Sequence, residues 1–394
     1  MNHAAEAASE LRTHHRLREL DGLRGWAALV VVIFHFTWEM FGAQLPVLRS
    51  HLPGPLNDGH LAVSVFFVLS GIALSIAFVR RRQLGSIAAL ALRRYPRLTI
   101  PILVTSLLTW AMMSSGLLYS DPAAQVLGRA DWLGRFYWHP PSLTAALSFA
   151  TFHVYADYNT SPNYGVFLWT MRYEMAGSML VFGLLALSMA LGRIWHHIRF
   201  PLLLIIAAAC LLTAPLLACF VAGLLLSELL ASGVLARAFA GGRGNLVGLF
   251  ALALGISGSV VYRGHPGLPG LIAATAIVLV PLCSPAARAL LNRRFSQWLG
   301  HISFPLYLTH SLVLCGPMSA AVVLLEKWEI GMVSIAAMIV PMAVTISLLV
   351  AWLFTPIEDF AVAASRRFSD GVLRSHLARH TLAMLERKLG SVSA

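Results

Sequence analysis

Two ionisable residues in one apolar run carry the first chemical signal. Arg24 and His35 stand eleven positions apart within Leu20–Phe36, a stretch otherwise dominated by aliphatic and aromatic side chains. That spacing is about three helical turns, so both side chains lie on one face, roughly 16 Å apart along the axis. With Arg24 at one water boundary, a hydrocarbon core about 30 Å thick puts His35 near its middle. An imidazole at that depth is costly to keep there and is a candidate proton acceptor. The competing reading makes Arg24 an interface anchor and His35 a neutral donor to a neighbouring helix. Asp21, one turn before Arg24, is a candidate supporting residue.

A second basic group, Arg93-Arg94-Tyr95-Pro96-Arg97, precedes the third apolar run. Arg94 and Arg97 share a helix face, and Pro96 fits the first turn of a span beginning there. Guanidinium groups beside the free amides of a helix start would form a phosphate site. Alternatively, these arginines only mark an inner membrane boundary. The fourth run opens with Trp169-Thr-Met-Arg-Tyr-Glu174. Glu174 is a candidate for orienting an imidazole, for a second acid or base, or for an interhelical ion pair. In Leu299–His310, Tyr307 and His310 are three apart on one face, and His310 would bring a second imidazole into the bundle. His35, His310 and Glu174 have no HxxxH or HxxE spacing among them, so no metal is expected. Ser70 and Gly71 are small enough for close helix approach. No P-loop, GxGxxG or GxSxG occurs, which excludes Walker-type NTPases, dinucleotide enzymes and hydrolase elbows.

These groups need a membrane bundle to position them, and the composition supplies one. Of 394 residues 58% are hydrophobic and only 12% charged, against about 25% charged in soluble domains. Apolar runs at 22–41, 60–79, 99–118, 165–191, 200–214, 216–236, 245–262, 268–287, 299–318 and 332–354 predict an all-α polytopic membrane protein, a bundle of about ten transmembrane helices. The fifth is short, and with the sixth it could form one re-entrant pair. With the amino terminus in the cytoplasm, twenty-three basic residues fall in inner segments and five in outer ones, so both termini are expected inside. The net charge of +12 then reads as topology rather than nucleic-acid binding. Bulky Phe36, Trp38 and Phe41 make the first run an uncleaved span rather than a signal peptide. Cys210, Cys219, Cys283 and Cys315 form no CxxC pair, so neither a disulfide framework nor a metal site is expected. The chain divides into an N-terminal segment 1–19, a membrane domain 20–356 and a basic tail 357–394. In that tail Leu373, Leu377, Leu385 and Leu389 suggest an amphipathic helix on the inner leaflet. The outer segment 119–164 concentrates aromatic residues, read as an interfacial belt or as a platform for cyclic acceptors.

Five stretches in order resemble the integral-membrane acyltransferase-3 family, which includes bacterial O-acetyltransferases of surface polysaccharides. They are Leu20–His35 with its Arg-x10-His pattern, Val65–Gly71 (VFFVLSG), Arg94–Arg97 (RxxR), Trp169–Glu174 (W-x4-E) and Leu299–His310 (LGxISxxLYLxH). The resemblance implies transfer of an acyl group, usually acetyl, from cytoplasmic acyl-CoA to an acceptor hydroxyl in a bacterial inner membrane, without a metal. It implies that His35 is catalytic, Arg24 essential, and Arg94 with Arg97 associated with the donor. Arg93 joins the donor group, Glu174 the catalytic set, and Asp21, Trp169, Tyr307 and His310 are expected to support the substrates. One departure is Ser64, where the family often has aspartate before FFVLSG. The acceptor is expected to be a glycan or a glycosylated metabolite. A proton-coupled transporter of a small solute is the alternative that buried Arg, Glu and His also fit.

Overall fold

The computed structural model describes residues 17–50, 54–159, 162–239, 243–261 and 267–375, and among them every regular element is helical. Eight helices are long and apolar enough to cross a membrane. They are α1 (Arg18–Phe34, continued by a π turn to Glu39), α2 (Gly59–Arg81), α3 (Leu84–Ser114), α6 (Thr170–Ala190), α7 (Arg193–Thr213), α9 (Arg243–Val261), α12 (Arg294–Lys327) and α13 (Met332–Arg374). A ninth crossing requires the pair α10 (Leu268–Cys283) and α11 (Pro285–Leu291), bent by 93° between them. The tenth expected span is α8 (Pro215–Ala231), apolar but only 17 residues long. In the aromatic segment 119–164 lie α4 (Ser120–Leu127) and α5 (Leu143–Ala156).

Between spans the hydrophobic effect gives little, because lipid tails are as apolar as leucine, so close backbone packing must hold the bundle. Glycines supply it. A Cβ on Gly25 of α1 would fall 2.4 Å from the Gly300 nitrogen of α12, and one on Gly300 2.4 Å from the Asp21 carbonyl. Gly71 of α2 meets α8 in the same way, its missing Cβ 2.3 Å from the Phe220 carbonyl, which fulfils the expectation for that position. The glycines of the Leu20–Phe36 stretch thus lock the helix that carries Arg24 and His35 against the helix that carries His310. Gly25→Val should drive these backbones apart and cost about 3 kcal/mol or more. A lower thermal midpoint and reduced monodisperse yield in detergent would check it.

Three sequence expectations need correction. α3 begins at Leu84, fifteen residues before the expected span, so Pro96 lies inside the helix and not in its first turn. No free helix-start amides therefore accompany Arg93, Arg94 and Arg97. α7 begins at Arg193 and is 21 residues long, so the short member of that pair is α8. Finally, residues 357–374 are not a separate helix on the leaflet. They continue α13 without a break past Pro356, and Arg93 ties them to α3 through Asp370 (2.9 Å) and Ser369 (2.6 Å). Leu377, Leu385 and Leu389 lie outside the described residues, as do residues 1–16.

Candidate active site

Regular α-helical winding in α1 ends at Phe34, and His35–Glu39 continues as a π turn, a widening common at functional sites. His35 is half-buried and faces the bundle interior, not lipid. Its ring stacks on Phe167 at 3.8 Å between centroids, with His310 at 5.3 Å and Trp132 at 6.0 Å. The His35 Nδ1 has no hydrogen-bond partner. His310 is fully buried, and its Nδ1 lies 3.1 Å from the Leu306 carbonyl. A carbonyl only accepts, so that nitrogen carries hydrogen, and the neutral ring presents a bare Nε2. That Nε2 is also without a partner. Two imidazoles, each with an orphan nitrogen, therefore share one aromatic cluster. Tyr307 supports the cluster from below: its hydroxyl donates to the Phe167 carbonyl and accepts from Thr170 at 2.6 Å.

Segment 119–164 forms a roof over this cluster. Arg129 lies across the Trp132 ring at 5.1 Å, pairs with Glu39 at 3.0 Å and Asp131 at 3.0 Å, and donates to the Glu39 carbonyl. Glu39 ends the same π turn that His35 begins, so the roof is pinned to the helix that carries the imidazole. The Arg129 hydrogen bond holds the exposed Asp131 carboxyl below its usual range. Phe136 meets Phe167 edge-on at 5.8 Å. By contrast, Trp138 is 76% exposed and Phe152 60%. The aromatic segment thus serves both readings, with Trp132 and Phe136 lining the site and Trp138 and Phe152 facing outward.

The three arginines of α3 have three different fates. Arg93 is spent on Asp370 and Ser369. Arg94 binds Ser178 at 2.7 Å and forms an ion pair with Glu174, which also accepts from Ser70 at 2.8 Å. Among the described residues Glu174 makes this ion pair and no hydrogen bond to an imidazole. Arg97 is exposed and, among the described residues, makes neither a hydrogen bond nor an ion pair. Arg24 is half-buried and equally unengaged by such contacts, and the two lie within electrostatic range of each other. Among the described residues, the arginines of these two motifs that make neither a hydrogen bond nor an ion pair are thus Arg24 and Arg97, one from each. Elsewhere, Ser64 gives its hydroxyl to the His60 carbonyl at 3.1 Å and replaces no carboxylate. Trp169 is half-buried against Tyr173 at 6.0 Å, and Asp21 sits at the α1–α12 contact. Phe167 and Arg129 escaped the sequence reading as site residues, whereas Trp132 belongs to the aromatic segment read as a platform for acceptors. The aromatic run from Tyr164 to Trp169 was the available signal for Phe167.

A membrane bundle that holds an interior imidazole about three turns from the free guanidinium of Arg24 on the same helix, with that of Arg97 on α3 within electrostatic range of Arg24, is built as a membrane-embedded enzyme. The chain belongs to the acyltransferase-3 family, whose acyltransferase domain it matches over residues 17–355. It is a multi-pass membrane acyltransferase, which sets aside the transporter alternative. It is 25% identical to the O-acetyltransferase PaAT-1 of Phomopsis amygdali over 383 residues, covering 79% of this chain and 74% of that protein. No solved structure matches it.

Proposed function

We propose that the protein moves an acyl group, acetyl being the expected one, from cytoplasmic acyl-CoA to a hydroxyl of a carbohydrate or another envelope or secondary-metabolite acceptor. The observation that carries this is the half-buried His35 ring, with its orphan nitrogen, on the same helix as the unpaired Arg24. Arg24 and Arg97 hold the donor's phosphates at the face where α1 begins. The bias of basic residues toward that face supports its being cytoplasmic. The pantetheine arm runs up the bundle and brings the thioester to His35. A neutral ring nitrogen of His35 takes the acceptor's hydroxyl proton as that oxygen bonds to the thioester carbonyl. The carbon–sulfur bond breaks, and the departing thiolate recovers the proton from the imidazolium. His310 orients the stack, and Arg94 with Glu174 fixes α3 against α6.

The test uses purified protein in detergent with labelled acetyl-CoA and fractionated cell-envelope and metabolite extracts as acceptors. Label transfer with thiol release is expected without any sealed compartment. Absence of both with every fraction, from a folded preparation, would remove the reading. The roof makes a separate prediction: Trp132→Ala should raise the acceptor KM several-fold, since one aromatic stack is worth about 0.5–1.5 kcal/mol. The donor KM should stay within twofold of wild type. An equal rise in both constants would place Trp132 outside the acceptor path.

A further inference from the structure

A carboxylate that the sequence reading passed over stands among the basic groups. Glu358, on α13 just past Pro356, has a buried Oε2 with no hydrogen-bond partner. Arg24 of α1, Arg97 of α3 and His301 of α12 lie within electrostatic range of it, yet none comes within the 4.0 Å of an ion pair. Arg97 and His301 are exposed, and Arg24 and Glu358 half-buried. Four side chains from four helices thus form one charged cluster that reaches solvent through Arg97 and His301.

A structural ion cluster in this protein looks different. Glu228, 1% exposed, is gripped by Arg199 at 2.7 Å, Trp195 at 3.1 Å and Arg82 at 3.5 Å, which satisfies the carboxylate and seals it from water. Glu358 balances the charge of its arginines from a distance and leaves their donors unspent. A phosphate with three acceptor oxygens would take those donors bidentately, and it would repel a carboxylate held beside it.

We propose that Glu358 is an intramolecular anion that competes with the acyl donor's phosphate for Arg24 and Arg97. It offsets the charge of the two arginines until the donor binds and displaces it. The proposal rests on the donor reading above in taking the ligand to be phosphate-bearing. As a positioning residue acting through the two arginines, Glu358 sets donor affinity and the release of spent CoA, and it takes no part in the acyl step.

The experiment is calorimetric titration of the full chain in detergent with adenosine 3′,5′-bisphosphate, the phosphate-bearing end of CoA. Glu358→Gln is expected to tighten binding about tenfold, the scale of one unit charge a few ångströms away. Glu358→Asp, which draws the carboxylate back by one methylene, should tighten it by a smaller factor and carries the test if the glutamine variant does not fold. Asp359→Asn, at the exposed neighbour, should change binding less than twofold. Unchanged or weaker binding in the Glu358 variants, with Arg97→Ala still weakening the wild type, would overturn the proposal and leave the donor reading standing. Binding indifferent to Arg97→Ala as well would take the phosphate away from this cluster, and the donor assignment would fall with it.

Discussion

Replacing His35 by alanine is expected to lower acyl transfer by at least about 10²-fold, the usual worth of a positioned general base, while the protein stays folded in the membrane. The ring accounts for little of the fold. Its Nδ1 makes no hydrogen bond, and its main contact is the stack on Phe167 at 3.8 Å, a pair worth about 0.5–1.5 kcal/mol. The measurement is turnover of labelled acetyl-CoA beside a thermal midpoint from the same preparation. Unchanged turnover would remove His35 from the chemistry. A midpoint that collapses along with turnover would assign it to packing. His310→Asn is the informative companion. Its amide nitrogen stands where the ring Nδ1 does and can still donate to the Leu306 carbonyl, which holds the side chain in place while the bare Nε2 is lost.

The second large effect separates two arginines that the RxxR pattern treats alike. Arg97→Ala removes an exposed guanidinium without a partner, so folding should be untouched. The donor KM should rise roughly tenfold to a hundredfold, as expected from losing charged hydrogen bonds of about 1.5–3 kcal/mol. Arg94→Ala removes the partner of Glu174, whose side chain is 12% exposed. A buried carboxylate left alone costs about 3–5 kcal/mol, so the expected result is a lower midpoint and poor yield. The protein that does fold should keep a donor KM near wild type. Glu174→Gln in the Arg94→Ala background should restore part of the stability by removing the stranded charge. A raised donor KM in Arg94→Ala at wild-type stability would return Arg94 to the donor site.

Much of the architecture is written locally in the chain. Hydropathy located all ten apolar segments, because each run must satisfy its own backbone within lipid whatever its neighbours do. Helical periodicity placed Arg24 and His35 on one face for the same local reason. The small Ser70-Gly71 pair signalled a close contact, though not that Gly71 would meet α8 at Phe220 while Ser70 reached Glu174.

Partnership across helices was decided by tertiary structure. Arg93, Arg94 and Arg97 are indistinguishable as residue types. What separates them is that Asp370 and Ser369 come to the first, Glu174 and Ser178 to the second, and neither a hydrogen-bond nor an ion-pair partner to the third among the described residues. Those partners lie 80 or more positions away in sequence, beyond any periodicity. The extent of α3 was hidden in a similar way. Pro96 is as compatible with a helix start as with a kinked interior, and only packing against α13 and α6 selects the longer helix. The roof of Trp132 over His35 and the stance of Glu358 depend equally on which segments close over the two ends of the bundle. Local side-chain chemistry is enough to say which groups must be sheltered from lipid. The fold determined which of them were left unpaired, and an unpaired group held at a fixed depth is the one with bonds still to offer a substrate.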